Sequence, residues 1–305
     1  MRKFCAIALC AAVAAASLVS CQKEASNPIE SNRTIHFTVR ASLDNPTKTH
    51  LTEVGGEYSV KWSEDDKIGV FLGDNRTSFD ISDITGDVAT FCGEGTVSSD
   101  EVTLTSFYPS RAFDRTYANG DIGLKVEKTQ KPVLCSFDPN MDILIGKQKN
   151  ITISSSDVEL DDLQFARTMA ILRVNINANN VAAEVAGKVV TSLAFFAENT
   201  TLTGIASVSP EDGTISSWTK SNNEVIADID ASELITVNEP DGFNSVYLIV
   251  NPTTIAAGTS LTFTVGMEDG TTYTRILTAP DMEFLAAKVT EINLTLRDKD
   301  LEGIV

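Results

Sequence analysis

Residues 60 to 72 read VKWSEDDKIGVFL, and this stretch contains two predicted β-strands separated by an acidic turn. The first strand ends at Trp62, and the second is the run KIGVFL at 67–72. Asp65 and Asp66 are expected to cap the turn, because aspartate side chains accept hydrogen bonds from nearby backbone amides. This part of the chain is therefore predicted to be β-structure.

The same pattern recurs from residue 34 to the C-terminus, as short runs with apolar residues at alternate positions, bounded by Gly, Asn, Asp or Pro. Ile35, Phe37 and Val39 begin the series. Helical spacing is weak, as at VAAEVAG from 181. About a dozen short strands predict an all-β fold of sandwiches or open barrels, not a parallel α/β sheet.

The polar stretch SSSDVELDD at 154–162 is the clearest place to divide the chain. The length is sufficient for two ordinary domains, each of about 130 residues. We therefore expect one domain at 34–164 and a second at 165–305.

The N-terminus carries the pattern of an exported lipoprotein. Arg2 and Lys3 precede an apolar, alanine-rich run that is too short for a membrane span but suits a secretory signal. A serine before Cys21, with a leucine three positions ahead of the cysteine, resembles the lipobox of bacterial lipoproteins. We expect a signal peptide at 1–20, lipidation of Cys21 and a flexible tether at 21–33.

The residues after the cysteine indicate the destination of such a lipoprotein. Gln22 is not aspartate, which by resemblance to other lipoproteins favours the outer membrane, and the Lys-Glu pair that follows resembles a surface-export signal. The alternative is an ordinary secretory signal that is cleaved near Ala16 or Ser20, with Cys21 incidental.

The chain is strongly acidic, with 24 Lys and Arg against 42 Asp and Glu and a formal net charge of −18. Loss of residues 1–20 removes Arg2 and Lys3 and no acidic residue, so the charge becomes about −20. Such a chain repels nucleic acid and anionic lipid headgroups, and neither is predicted as a partner.

Catalytic signatures are missing. The two histidines, His36 and His50, are predicted to lie at the surface, and a Ser-His-Asp or Cys-His arrangement would have to use one of them. The stretch FCGEGT at 91–96 lacks the Gly-x-Ser-x-Gly elbow, and Cys92 has no basic neighbour in sequence. We therefore expect no enzyme.

No metal or cofactor is predicted either. The acidic clusters at 63–67, 138–142 and 157–162 do not match a calcium-binding loop and are interpreted as solvated turns. Cys92 and Cys135 are the only cysteines beyond Cys21, and the sequence leaves open whether they form one disulfide or two thiols.

A series of landmarks in fixed order resembles the fimbrillin, or type V pilin, family and covers nearly the whole mature chain. The landmarks are TKT (47–49), VKWSEDDKIGVF (60–71), ATFCG (89–93), FYPS (107–110), KTQKP (128–132), FDPNMDILIG (137–146), FARTMAILRVNI (165–176), VYLIVNPTTI (246–255) and FLAAKVTEINLTL (284–296). Ala287 departs from the pattern, because the family often has glycine there. Four aromatic residues of these landmarks are expected to pack in the core: Trp62, Phe71, Phe91 and Tyr108.

The resemblance implies two tandem transthyretin-like β-sandwich domains and a cell-surface fimbria as the destination. It further implies export as a lipoprotein, removal of an N-terminal segment by an arginine-specific protease, and polymerisation with other fimbrial subunits. Removal of a strand exposes backbone donors and acceptors and an apolar groove, which a segment of a neighbouring subunit then fills. A host or bacterial surface receptor or glycan is the implied external partner.

Applied to this chain, the resemblance makes the strand at 34–42 the candidate for displacement, with Ile35, Phe37 and Val39 as its apolar face. Cleavage after Arg40 would remove that face together with the lipid anchor. Cleavage after Arg33 would release the anchor and keep the strand. Either arginine could equally be an uncut surface residue.

The donor strand is expected near the C-terminus, where Ile292, Leu294 and Leu296 alternate with polar residues. In the alternative interpretation, 291–296 is the last strand of its own domain. The chain ends soon afterwards, which makes a tip or accessory position credible and leaves the position in the pilus open.

A second function, from another class, is a tethered surface lipoprotein that binds glycans and never polymerises. Trp218, in TISSWTK at 214–220, would be its stacking platform.

Overall fold

The computed structural model describes residues 32–43, 52–54, 57–59, 62–179, 183–240 and 242–297. They form β-strands and three 3₁₀ turns, Ser110–Ala112, Ala183–Val185 and Ala231–Glu233. The strands are β1 (Arg33–Leu43), β2 (Thr52–Val54), β3 (Glu57–Ser59), β4 (Lys67–Leu72), β5 (Asn75–Thr85), β6 (Val88–Val97), β7 (Glu101–Tyr108), β8 (Phe113–Thr116), β9 (Ile122–Val126), β10 (Thr129–Gln130), β11 (Leu144–Thr152), β12 (Asp157–Arg167), β13 (Ala170–Ala178), β14 (Val190–Ala197), β15 (Thr203–Val208), β16 (Ile215–Asn222), β17 (Glu224–Asp228), β18 (Ser245–Val250), β19 (Thr253–Ile255), β20 (Ser260–Met267), β21 (Thr272–Thr278), β22 (Met282–Phe284) and β23 (Val289–Leu296). The all-β prediction is confirmed, and no helix in the described ranges is long and apolar enough to cross a bilayer.

Seven strands of the first half close into a barrel in the order β1, β12, β11, β7, β4, β5, β6. Neighbouring strands are antiparallel except β1 and β12, which are parallel. The interior is filled by aromatic and aliphatic side chains, of which Phe37, Phe79 and Phe91 are fully buried. Closure gives every strand of the barrel two hydrogen-bonded neighbours and leaves no free edge.

The second half contains a five-stranded sheet (β10, β17, β14, β20, β21) and a three-stranded sheet (β18, β13, β23). Strands of both sheets contribute to one core, with Phe195 and Phe263 from the larger sheet and Leu172, Leu248 and Leu294 from the smaller. The inward and outward alternation along these strands follows the period-two pattern of the sequence.

Strands from the first half complete sheets of the second. β9 pairs with β15 in the four-stranded sheet β16, β15, β9, β8, and β10 pairs with β17. A third core cluster accordingly combines Phe107, Leu124 and Phe137 with Ile171 and Tyr247. The halves therefore share apolar packing, and the boundary that the sequence places at 164/165 lies inside β12. The division into domains at 34–164 and 165–305 stays a prediction.

A buried glutamine also links the two halves. The Gln130 side chain donates from Nε2 to the Ile249 carbonyl (2.7 Å) and accepts from the Ile249 N–H at Oε1 (2.9 Å). β18 has a hydrogen-bonded strand on one side only. On its other side the Gln130 amide makes the two hydrogen bonds that a neighbouring strand would otherwise make with Ile249. Nothing in the sequence around KTQKP indicates this pairing, because the partners are 119 residues apart.

The packing role predicted for the four landmark aromatics is confirmed. Trp62, Phe71, Phe91 and Tyr108 are all buried. The Trp62 ring makes edge-to-face contacts with Phe91, Tyr108 and Phe165, with centroids 5.2 to 5.6 Å apart. The stretch at 60–72 thus supplies the barrel with its central aromatic contact.

Asp66 caps the turn as predicted but is not solvated. Its side chain caps the turn as expected, because the Ser63 N–H donates to Oδ2 (2.7 Å), but the residue is buried and Tyr108 Oη donates to Oδ1 (2.7 Å). Burial raises the pKa of the Asp66 carboxyl above its ordinary value. Glu64 and Asp65 are exposed, as a solvated turn requires.

Residues 138–142 form a turn as predicted, in which the Met141 N–H donates to the Asp138 carbonyl (3.0 Å), but the acidic side chains of this turn are not solvated. Asp138 and Asp142 are buried, and Asp138 accepts hydrogen bonds from the backbone N–H groups of Lys131 (2.8 Å) and Asn140 (2.9 Å). Asp142 pairs with Arg167. Residues 157–162 lie in β12 and not in a turn, although Asp157, Glu159 and Asp161 are exposed as predicted. Acidic composition alone predicted solvent exposure and could not reveal partners distant in sequence.

Candidate functional site

β1 lies between β6 and β12 along almost its whole length. It is antiparallel to β6 from Arg33 opposite Val97 to Ala41 opposite Ala89. It is parallel to β12 from His36 opposite Asp157, with an irregularity after Val39. Both rows of its backbone groups are therefore used in pairing.

One face of β1 belongs to the barrel core. Ile35, Phe37, Val39 and Ala41 are at most 2 % exposed, and the Phe37 ring stacks on Phe79 with centroids 5.6 Å apart. The opposite face carries exposed side chains, including His36, as predicted. A barrel without β1 would present two unpaired strand edges and an apolar floor, which is the arrangement that accepts an extended segment. Displacement of β1 stays a prediction.

The two candidate cleavage sites differ in their backbone setting. Arg33 begins β1, is exposed, and its Nη2 lies 2.5 Å from Asp100 Oδ1. Arg40 also has an exposed side chain, with Nη1 3.8 Å from Asp161 Oδ1, but its backbone lies within the strand opposite Thr90. A protease must bind the chain in extended form, so access to Arg40 requires β1 to be outside the barrel.

β23 is an edge strand that pairs, in parallel, with β13. Leu294 and Leu296 are fully buried in the core of the second half, and Ile292 packs against it. These residues therefore form the last strand of their own core, which is the alternative that the sequence left open. A donor role for them stays a prediction.

Cys92 lies on β6 beside β1, directly opposite Thr38. Its Sγ is 3.8 Å from Thr38 Oγ1 and 3.2 Å from Ser82 Oγ. Cys92 is a free thiol, so it forms no disulfide with Cys135. This result decides between the two alternatives for the pair.

Several predicted features lie outside the described residues. They are the signal peptide at 1–20, the lipidation site Cys21, most of the tether at 21–33, and His50. Within the described ranges, no group of three or more His, Cys, Asp or Glu side chains is placed to hold a metal ion.

A cleft of about 790 Å³ is a feature that the sequence did not reveal as a whole. Its walls come from β11, β12, the β15–β16 turn with β16, the segment after β18, and Ala286 between β22 and β23. Trp218, predicted to be exposed, is only partly buried and lines this cleft while packing against the third core cluster. The isolated Trp218 was a usable signal of a binding surface in the sequence. The other lining residues could not be grouped with it, because the residues of the cleft lie up to 141 positions apart along the chain.

The comparisons with known proteins agree with the strand architecture. A model of the fimbrillin-like family matches residues 47–305. The chain belongs to the fimbrillin-like family. No protein in a comparison with curated sequences matches it.

Solved structures resemble this fimbrillin-like chain over most of its length. A protein of Bacteroides ovatus, provisionally described as a cell adhesion protein, has a TM-score of 0.52 at 17% identity and covers 89% of this chain and 95% of its own. A Bacteroides fragilis protein with the same description has a TM-score of 0.53 at 11% identity, covering 90% and 100%. At these identities the likeness shows the fold alone.

Proposed function

We propose that the chain is a structural or adhesive subunit of a cell-surface fimbria, exported as an outer-membrane lipoprotein through Cys21 and assembled with other fimbrial subunits by β-strand complementation. The proposal includes two tandem transthyretin-like β-sandwich domains, at 34–164 and 165–305, and a structural, non-catalytic role. A tip or accessory position, and a receptor or glycan on a host or bacterial surface, belong to the same proposal.

The observation that carries the proposal is the position of β1. It is the first strand of the described chain, it fills a slot between β6 and β12, and its inward face is completely buried. The slot has the width of one strand, a ladder on each side and an apolar floor. A segment with alternating apolar residues would therefore bind there by the interactions that now hold β1.

The site of cleavage determines whether the slot opens. Cleavage after Arg40 separates Ile35, Phe37 and Val39 from the body of the protein, so the excised segment can dissociate. Cleavage after Arg33 leaves these residues attached, and the slot stays filled. We therefore propose Arg40 as the cut that permits polymerisation, made before β1 is paired or during its transient release.

The donor segment is proposed to come from the C-terminus of a neighbouring subunit. Leu294 and Leu296 are already buried in their own subunit, so their use as donors requires β23 to leave β13. β23 is an edge strand and its release breaks one ladder, whereas release of β1 breaks two. A subunit at the tip needs an acceptor slot and no free donor.

Mass spectrometry of the mature N-terminus tests the proposal. Material sheared from the cell surface is expected to begin at Ala41, and material retained in the membrane at acylated Cys21. SDS-resistant polymers are expected in the sheared pool only. If every molecule keeps Cys21 and nothing is sheared off, the protein does not polymerise and the assembly proposal is wrong.

A further inference from the structure

The cleft beside Trp218 has the size of a ligand site. Its volume of about 790 Å³ lies within the range of roughly 300–1,000 Å³ typical of small-molecule pockets. None of the residues that line it belongs to β1 or β23. A function of this cleft is therefore separable from strand exchange.

Trp218 provides an aromatic surface in the cleft. It lies on β16 opposite Ala206 of β15, and the third core cluster packs against it. This packing fixes the indole, while the part of the side chain that is not buried lines the cleft. A fixed, partly exposed indole is a stacking surface for the C–H face of a sugar ring.

Asn251 provides a fixed hydrogen-bond acceptor. Its Nδ2 donates to the Thr201 carbonyl (3.1 Å) and its backbone N–H donates to the Leu202 carbonyl (2.8 Å), so the side chain is held in place. The residue is only 8 % exposed. Asn251 lines the cleft, and its Oδ1 accepts no hydrogen bond from the residues that the structure describes.

Gln164 adds a second amide to the lining of the cleft. It lies on β12, is exposed, and makes no side-chain hydrogen bond within the described part of the chain. A carboxamide both donates and accepts, which matches the hydroxyl groups of a sugar. Two amides and one indole around a cleft thus offer the interactions that a carbohydrate requires.

Charge in the cleft is mixed. Lys147 forms no ion pair with the described residues, whereas Glu211 and Asp212 also line the cleft. The Asp212 carboxylate accepts from the Thr214 N–H (2.9 Å), and this bond holds the pKa of Asp212 below its ordinary value. Charges of both signs within one cleft favour a neutral ligand over a strongly anionic or cationic one.

We propose that this cleft binds a neutral oligosaccharide, with Trp218 stacking on a sugar ring and the side-chain amides of Asn251 and Gln164 hydrogen-bonding to hydroxyl groups. This inference rests on the adhesive part of the proposed function and specifies the class of glycan and the site that binds it. It holds whether or not the chain polymerises, so its failure is distinguishable from failure of the assembly proposal.

Binding is tested on the purified mature protein with an array of neutral glucans, mannans and galactans together with sialylated and sulfated glycans. The affinity for the best neutral glycan is then measured by titration calorimetry. Trp218→Ala is expected to weaken binding by about tenfold or more, because it removes the stacking surface. Ser221→Ala is the matched control, since Ser221 is exposed on the same strand and does not line the cleft.

Two results would overturn the proposal: no neutral glycan is bound, or Trp218→Ala binds as tightly as the wild type. Because loss of Trp218 also removes packing, Gln164→Ala provides a second test at an exposed position, with an expected loss of about fivefold to tenfold. Lys147→Ala should leave binding of the neutral glycan nearly unchanged. Preferential binding of sulfated or sialylated glycans that depends on Lys147 would contradict the neutral ligand class.

Discussion

At the scale of single residues, the buried ion pair of Asp142 and Arg167 shows how acidic residues enter the core. Both side chains are completely buried, with Nε bonded to Oδ1 and Nη2 to Oδ2, each at 2.5 Å. The guanidinium also lies over the Phe137 ring, 5.4 Å from its centroid. Each charge depends on the other, because an unpaired ion in this position would be desolvated without compensation.

Substitution of one partner is therefore expected to be much more damaging than substitution of both. Arg167→Met should lower the free energy of unfolding by about 3–5 kcal/mol, since it leaves the Asp142 carboxylate buried and unpaired. The double variant Asp142→Leu/Arg167→Met should lose less than Arg167→Met alone. Urea denaturation measures both values.

The exposed pair of Lys67 and Asp80 is a matched control for this experiment. Its Nζ–Oδ1 distance is also 2.5 Å, but both side chains are more than half exposed. Lys67→Met should change stability by less than about 1 kcal/mol. An Arg167→Met variant as stable as Lys67→Met would contradict the assigned role of the buried pair.

Asp121 gives a prediction for the dependence of stability on pH. Its Oδ2 accepts from Ser216 Oγ (2.7 Å) and Ser207 Oγ (2.8 Å), and the hydrogen bond from Ser216 is the main reason that its pKa is lowered from the ordinary 3.8. A lowered pKa in the folded state means that the carboxylate stabilises the fold above pH 3.8 and loses this effect as the pH falls through the folded-state pKa.

Asp121→Asn should therefore destabilise the protein by about 1–2 kcal/mol at pH 7, where the ionised carboxylate accepts both hydrogen bonds. The difference from the wild type should shrink as the pH falls below 3.8, because Asp121 then binds a proton in the unfolded chain more readily than in the folded state. Urea denaturation of both proteins at pH 7 and pH 3 measures it. A difference that is equal at the two pH values would show that the charge of Asp121 has no role.

At the scale of elements, β1 is fixed by ladders on both sides, and Cys92 offers a way to test whether it must move. Thr38 and Cys92 are direct neighbours across an antiparallel pair, a geometry in which Cα atoms are about 4.5–5.5 Å apart. This separation is compatible with a disulfide bond. Thr38→Cys would thus place a second thiol beside the free thiol of Cys92.

Oxidised Thr38→Cys protein is expected to fold normally and to fail to polymerise. The new bond ties β1 to β6, so even a chain cut after Arg40 would keep residue 38 in the slot. Polymers should be restored by reduction, and gel electrophoresis with and without reductant detects them. The variant Thr38→Cys/Cys92→Ser cannot form the bond and should polymerise in both conditions; polymer formation by the oxidised single variant would mean that β1 is not exchanged.

Most strands could be predicted from the sequence, because alternation of apolar residues reports which face is buried. Their partners could not. The alternation of Ile35, Phe37 and Val39 indicates a strand with one buried face, but not that its neighbour β12 runs parallel to it. The same limit applies to Leu294 and Leu296, since a strand in its own core and a donor strand have the same pattern.

At the scale of the whole molecule, the four-stranded sheet β16, β15, β9, β8 contains strands from both halves of the chain, and this affects whether either half can fold alone. β9 lies between β8 and β15, and Ile122 and Leu124 are buried in the cluster that also contains Ala206 and Val208. Residues from 168 onward therefore depend on strands contributed by the first half. The two halves of the chain complete one another's sheets.

Expression of 168–305 alone is accordingly expected to give an aggregated or poorly packed protein. The segment would expose the apolar face and one edge of β15, and exposed sheet edges with apolar faces promote association. Gel filtration and near-ultraviolet circular dichroism measure the outcome, with 32–305 as the control. A monomeric 168–305 with native-like dichroism would show instead that the second domain folds on its own.

The candidate sites show the same dependence on distant residues. Trp218 could be selected from the sequence as a single aromatic beside a turn, but Asn251 and Gln164 could not be grouped with it. The buried acidic residues were missed for the opposite reason, because their local sequence resembles a turn. Both the cleft and the buried acidic residues depend on contacts between residues distant in sequence, which a local sequence pattern cannot predict.

The two ladders of β1 also determine how the slot responds to mechanical load. In the fibre proposed above, tension applied along the axis of a strand in this slot would strain the hydrogen bonds to β6 and β12 together, and they would not open one after another. The parallel and antiparallel neighbours share the force on both sides of the strand. A segment that occupies this position and is loaded along that axis would be held in shear, the loading direction in which a β-strand is hardest to extract.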